Sequence, residues 1–314
     1  MNKLPLALLI VAIAPLANAK THHVKKPPVA TSEKTVLLKQ GEIGRWPDLA
    51  AKECAIDAKR YPAVDAVCYY PVDIRAKVGR HAITLWDQDG KQHKGWARVE
   101  AVDWPEVKLT LPNDTYINVS PDNQRRTTKE RAAVLALLKV KVTPARFSLP
   151  LGAPATPLPN YEDDFGSKRV FNDKVHSQHT GRDYPVPEGS PVKAIADGTV
   201  VLAEEYFLTG KTVFVDHGDG LVSEIFHLSE LAVKPGDEVK RGDVLGKVGG
   251  TGRATGPHLH LGLRWVGQRV DPQPLLDNPL QLHDVGDSPI EVERKENATA
   301  EPKEKTPPND DDEG

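Results

Sequence analysis

The stretch GTVVLAEEYFLTGKTVFVDHGDGLVSEIFHL, residues 198–228, decides the fold. It reads as three strands, Gly198–Glu204, Lys211–Asp216 and Leu221–His227, and His217-Gly218-Asp219-Gly220 makes a tight turn between the last two. Asp243–Val248 and His258–Trp265 read as further strands, and helical periodicity is absent. Residues 166–275 are therefore expected to form an antiparallel β domain. The chain as a whole, 314 residues with 27 Pro, 24 Gly and one Met, favours short strands and turns over long helices. Its length suits about two domains, and the fold class expected is mainly β. Collagen, a coiled coil and a polytopic membrane protein are excluded by composition.

Upstream, residues 36–145 read as a β-sandwich domain with one short helix. Ala82–Trp86 alternates apolar and polar side chains, Asp87-Gln88-Asp89-Gly90 turns the chain, and Trp96–Val102 returns it. Val107–Leu111 is a further strand. The helix is expected over Lys129–Lys139, started by a capping-box spacing at Thr127 and Glu130. Residues 146–165, rich in Pro and acids, read as a linker. Residues 20–35 read as a flexible leader in which His22 and His23 are solvated, and residues 276–314 as an acidic disordered tail. Its last stretch, 286–314, holds ten acids and four bases.

Residues 1–19, MNKLPLALLIVAIAPLANA, have a basic start, an apolar run and small residues before Ala19. This is the layout of a signal peptide cleaved after Ala19, so a periplasmic or secreted protein is expected. No other apolar run is long enough to span a membrane. Export makes a Cys54–Cys68 disulfide the expected state of the two cysteines, closing a loop that contributes about 3 kcal/mol in the chain-entropy model. The formal charge of −3 is too balanced for a nucleic-acid binder.

Chemistry concentrates in three motifs. His179-Thr180-Gly181-Arg182-Asp183 gives His-x-x-x-Asp, Phe226-His227-Leu228 follows, and Gly256-Pro257-His258-Leu259-His260 gives His-x-His. Residues two apart on a strand share a face, so His258 and His260 point the same way. A His/Asp pair from a loop could complete a ligand set around one ion. Two imidazoles and one carboxylate with an open fourth position are the arrangement of a catalytic zinc site, and they leave a net +1 on zinc that favours a bound hydroxide.

Val170 to Pro272 resembles the lysostaphin/LytM-type zinc metallopeptidases, peptidase family M23. Besides those three motifs, Pro191–Ala194, Ala196–Val201, Asp216-His217-Gly218 and Gly249–Gly256 carry the resemblance. It implies zinc (Zn2+) on His179, Asp183 and His260, with His227 and His258 as non-ligand catalytic histidines. It further implies hydrolysis of peptide bonds in peptidoglycan stem peptides or cross-bridges. The first domain is similar to the immunoglobulin-like domain preceding some exported members. His176 reads as loop and His217 as structural.

Two other readings stand beside this one. A non-catalytic relative that activates cell-wall amidases would lack one or more ligands, and all three are present. A wall-binding scaffold would leave the five-residue site unexplained. A lipoyl-like reading of Pro235–Asp243 lacks the flanked hairpin lysine it needs. A regulatory partner is left open, and the sandwich is expected either to occlude the site or to anchor the enzyme.

Overall fold

The computed structural model describes residues 32–139, 143–161 and 165–289. The signal segment, leader residues 20–31 and the end of the acidic tail lie outside the described residues; residues 32–35, expected as the end of the flexible leader, instead open the first strand, paired on both sides. The first seven strands are β1 (Ser32–Lys39), β2 (Ile43–Trp46), β3 (Ala51–Ile56), β4 (Lys59–Pro62), β5 (Cys68–Pro71), β6 (Gly79–Asp87) and β7 (Gln92–Glu100). The expected hairpin joins β6 and β7, where Asp87 Oδ1 accepts from the amides of Asp89 (3.1 Å) and Lys91 (2.9 Å). Gly90, at φ +79°, supplies the left-handed turn position. Alternation then buries Ile83, Leu85, Ala97 and Val99 on one face. The β1–β7 pair is parallel rather than antiparallel. A second sheet, containing β2 and β5, closes the same core through Trp46, Cys68 and Tyr70. The Cys54–Cys68 disulfide is formed and staples β3 of one sheet to β5 of the other.

The expected domain boundary at 145 does not hold. β8 (Glu106–Leu109) pairs in parallel with β9 (Lys168–Phe171), which pairs with β10 (Val175–Gln178). Helix α1 spans Pro121–Leu137, not Lys129–Lys139, and is not short. Ser120 Oγ caps it by accepting from Asn123 N (3.3 Å), with Pro121 at the first helical position. Thr127 lies two turns inside, its hydroxyl donating to Gln124 O at 3.0 Å. The stretch read as a linker is a packed strap: Leu151 and Ala155 are buried, and Leu151 N donates to Leu275 O at 2.8 Å. Its apolar side chains between the prolines account for this.

The remaining strands are β11 (Gly181–Tyr184), β12 (Pro191–Lys193), β13 (Gly198–Tyr206), β14 (Gly210–Asp216), β15 (Leu221–Leu228), β16 (Glu230–Leu231), β17 (Glu238–Val239), β18 (Val244–Lys247), β19 (Leu259–Trp265) and β20 (Gln268–Val270). A fully antiparallel sheet runs β11-β19-β15-β14-β13-β17, with β20 beyond β19. Val200, Val213, Val215, Ile225, Leu259 and Leu261 pack from it against Val192, Leu245 and Val248, on and beside the small β12-β18-β16 sheet. The opposite face carries Leu202, Phe214, Val222 and Phe226, and there Val134 and Leu138, at the C-terminal end of α1, pack.

The disordered tail does not begin at 276. After α2 (Gln273–Asp277), strand β21 (His283–Asp284) runs parallel to β2, and β22 (Gly286–Pro289) antiparallel to β1. Leu275, Leu282 and Val285 are buried, and Arg45 holds Asp284 through two hydrogen bonds of 2.7 and 3.0 Å. Apolar anchors thus tie the acidic segment to the first domain. Among the described residues no helix is long and apolar enough to cross a membrane.

Candidate metal centre

Cross-strand register builds the site. Asp183 on β11 lies directly opposite His260 on β19, and His260 lies opposite Phe226 on β15. His179 enters from the link between β10 and β11. His260 Nδ1 is 2.9 Å from Asp183 Oδ1 and 3.0 Å from His179 Nε2, and the last is 3.2 Å from Asp183 Oδ1. Three ligands about 2.0 Å from one tetrahedral ion would stand about 3.3 Å apart. This donor set of two imidazole nitrogens and one carboxylate oxygen therefore fits a single ion, and it is the His179, Asp183 and His260 set expected from the sequence. Gly181 is required here: a Cβ would stand 2.5 Å from Leu261 O and 2.7 Å from His260 Nε2.

His227 and His258 flank the three. Their rings are 5.0 Å apart, and His258 Nε2 is 3.5 Å from Asp183 Oδ1. His227 Nδ1 donates to Thr251 O at 2.8 Å, and His258 Nδ1 to Gly256 O at 2.9 Å. Each ring therefore has Nε2 as its basic end. His227 sits at φ +62°, a left-handed conformation for a non-glycine residue. An unbroken strand would send Phe226 and His227 to opposite faces. Here both rings reach the centre: Phe226 stacks on His260 at 4.6 Å and 6°, and His227 meets the same ring edge-on at 6.0 Å.

Burial governs the charges. It would raise the Asp183 carboxyl, yet His179, His260 and Arg169 hold it well below the usual carboxylate range. Burial pushes His227 down to about 3, with His258 and His260 adding to the effect. Burial likewise takes His260 down to about 4 against the pull of Asp183. His227 and His260 are thus neutral near pH 7, the state a metal ligand or a proton acceptor needs.

Two participants were missed from sequence. Arg169 on β9 places Nη2 2.5 Å from Asp183 Oδ2 and 3.0 Å from His179 Nδ1. Beside Lys168 it reads as an ordinary surface base. Phe226 stood within a quoted motif, but only register reveals its stacking role. His217 is structural as expected, with Nδ1 on Asp197 O and Nε2 on Ser223 Oγ, both 2.9 Å. His176 is exposed on β10, a strand rather than a loop.

Comparison with known proteins agrees with this geometry. Residues 177–272 match the model of peptidase family M23. Over 93 residues the chain is 41% identical to the peptidoglycan DD-endopeptidase ShyA of Vibrio cholerae, covering 30% of this chain and 22% of that protein. Over 94 residues it is 44% identical to the DD-carboxypeptidase/endopeptidase Mpg of Neisseria meningitidis, again covering 30% and 22%. The chain thus spans about a fifth of the length of these curated relatives. A crystal structure of an M23 peptidase from Pseudomonas aeruginosa superposes with a TM-score of 0.59 at 29% identity, covering 76% of this chain and 94% of that one.

Proposed function

From the peptidase family M23 domain that the chain carries over residues 177–272, we propose an exported zinc metallo-endopeptidase that hydrolyses peptide bonds in peptidoglycan cross-links. The observation that carries this is the convergence of His179 Nε2, Asp183 Oδ1 and His260 Nδ1 beside two further histidines. Export would use residues 1–19, with the mature protein acting in the periplasm on stem peptides or cross-bridges. The first domain, read as an immunoglobulin-like sandwich, would either occlude the site or anchor the enzyme.

His179, Asp183 and His260 would hold the zinc, which when bound supplies a Lewis acid for the scissile carbonyl and acidifies water. Arg169, on the outer oxygen of Asp183, fixes the carboxylate so that Oδ1 faces the other ligands. His258, anchored through Nδ1, offers Nε2 to take a proton from the attacking water. His227, anchored the same way, is neutral near pH 7 and offers a second acceptor. Either ring, once protonated, can donate to the oxyanion or to the leaving amine. Because both rings stand at the ends of sheet strands, their positions are set before substrate arrives.

Metal analysis tests the ligand set. Wild-type protein should carry one zinc, and Asp183→Ala should carry almost none. Undiminished zinc in that variant would overturn the assignment. Digestion of purified muropeptides followed by mass spectrometry tests the reaction. Zinc with no cleavage would favour the non-catalytic activator of amidases.

A further inference from the structure

His260 turns Nδ1 toward the other two ligands, 3.0 Å from His179 Nε2 and 2.9 Å from Asp183 Oδ1. A neutral imidazole that binds an ion through Nδ1 carries its proton on Nε2. That Nε2 is buried and makes no hydrogen bond among the described residues. A buried N–H without an acceptor is costly, and metal-bound histidines as a rule donate this proton to a carboxylate, a carbonyl or water. Two facing glycines keep the space around it open. Gly181 on β11 lies opposite Gly262 on β19, and a Cβ at Gly181 would stand 2.7 Å from His260 Nε2. The three atoms nearest to a Cβ at Gly262 would be Glu224 Oε2 at 3.1 Å, Glu224 Cβ at 3.3 Å and His260 Nε2 at 3.7 Å. Neither glycine sits at positive φ, so each supplies room rather than backbone freedom.

Register brings Glu224 to this space. Glu224 on β15 pairs with Gly262, and His260 pairs with Phe226, so Glu224 is diagonal to His260. Diagonal neighbours on one face of a sheet are within reach of a long side chain. Phe226 stacks on the His260 ring at 4.6 Å and 6°, which fixes the plane in which Nε2 points. Glu224 is 3% exposed, and its Oε1 accepts from Arg264 Nε at 2.6 Å. An ionised carboxylate has about four lone-pair sites, so that ion pair does not use up the acceptor. Glu224 also lines a cleft of about 640 Å³, roofed by α1, that reaches Phe226 and Thr180 beside the metal centre.

We propose that Glu224 is a positioning residue of the metal centre, whose Oε2 accepts the Nε2 proton of His260 across the space over Gly262. A turn of the carboxylate, or one bridging water, joins the two atoms. Arg264 holds the carboxylate in place from its other oxygen. The proposal rests on the zinc metallopeptidase reading and deepens it by assigning the support of a ligand. Through the shared proton Glu224 fixes the ring orientation and makes Nδ1 a stronger donor to the ion. Arg169 touches Asp183 and His179, so each of the three ligands then has a supporting side chain.

Zinc affinity, read by competition with a chelator, tests it. Glu224→Ala should weaken zinc binding about tenfold, and Glu224→Gln, which keeps an acceptor oxygen without the charge, about threefold. Gly262→Ala puts a methyl group between the two atoms and leaves the Glu224–Arg264 pair intact, and it should also cost about tenfold. Adding Glu224→Ala to Gly262→Ala should cost little more, because the contact is already gone. NMR of zinc-loaded protein with isotope-labelled histidine reads the proton itself. The His260 Nε2–H signal should move in Glu224→Gln while the His217 ring signals stay in place, a change that a packing role for Glu224 would not produce. Should Glu224→Ala fail to fold, Glu224→Gln and Gly262→Ala carry the test. Zinc affinity within about twofold of wild type in Gly262→Ala, or an unmoved Nε2–H signal in Glu224→Gln, overturns the proposal and leaves the zinc site standing. A wild-type protein that takes up no zinc instead overturns the metallopeptidase reading, and the proposal with it.

Discussion

Strand β15 joins two buried polar regions that differ in how their hydrogen bonds close. At its start, His217 is fully buried and burial takes it down to about 4. At its end, burial takes His227 down to about 3, and neighbouring His260 down to about 4. Titration alone would treat the two ends alike. Hydrogen-bond accounting separates them. His217 spends both ring nitrogens on Asp197 and Ser223, whereas His258 and His260 each keep a buried Nε2 that makes no hydrogen bond. Leftover polar capacity beside a cleft, rather than a shifted proton affinity, marks the reactive end. Asp219 complicates the quiet end. Its carboxyl has one partner, Trp265 Nε1 at 3.3 Å, and burial raises it to about 7. Its Oδ1 is buried without a hydrogen-bond partner, so the quiet end keeps one unused acceptor apart from the cluster of metal donors, while the reactive end keeps its unused nitrogens on and beside that cluster.

The comparison can be broken most directly with paired alanines. His258→Ala should cut turnover by about 10²–10⁴-fold while keeping its zinc. His217→Ala should cost about 1–3 kcal/mol of stability and leave metal content and turnover per folded molecule unchanged. Loss of zinc in the first, or of turnover in the folded second, would erase the distinction. Denaturant titration and metal analysis read both.

A gentler perturbation is Phe226→Leu, which removes the ring stacked on His260. Second-layer changes of this kind cost about 10–100-fold in metal affinity. Zinc competition with a chromophoric chelator should show a loss at the low end of that range. The matching change at the other end, Tyr69→Leu beside Trp265, should leave zinc affinity unaltered.

The smallest effect is on pH dependence in the metal-free protein. His217 binds its proton more weakly folded than unfolded, so it adds stability as pH rises from about 4 through the ordinary histidine range near 6.5. Asp219 binds its proton more tightly folded, so it removes stability as pH rises from about 4 to about 7. The two oppose each other. Asp219→Asn should therefore steepen the rise of stability over that window by at most about one proton, ~1.4 kcal/mol per pH unit. Chemical denaturation between pH 4.5 and 7 measures it, and an unchanged slope would remove Asp219 from the comparison.

The metal site was legible because its spacing is a projection of strand geometry. His258 and His260 share a face by the period of two, and the Asp183–His260 register brings in the other ligands. The peptidase strands were legible for the same reason, since their turns are written in Gly and Asp. Arg169 was hidden because nothing in a Lys-Arg pair tells a surface base from one on a metal ligand. The joint orientation of Phe226 and His227 was hidden because a positive φ at a histidine leaves no local signature. The start of helix α1 was misplaced by about two turns because Thr127 and Glu130 imitate a cap that Ser120 and Pro121 supply. The β1–β7, β8–β9 and β21–β2 pairings are parallel and join distant segments, which hydrophobic periodicity does not report.

The pairing of β22 with β1 has a consequence for how the chain comes together. Ser32, the first described residue, lies opposite Pro289, the last. As the exported polypeptide is delivered from its N-terminus, β1 can find β7 early, but its other edge stays open until residues 286–289 follow. An open edge is a template for pairing with foreign strands, and contacts between distant segments form slowly. Completion of the N-terminal sheet therefore reports that the intervening peptidase strands exist. A chain truncated before residue 286 would be left with an unprotected edge that quality-control proteases or aggregation can reach.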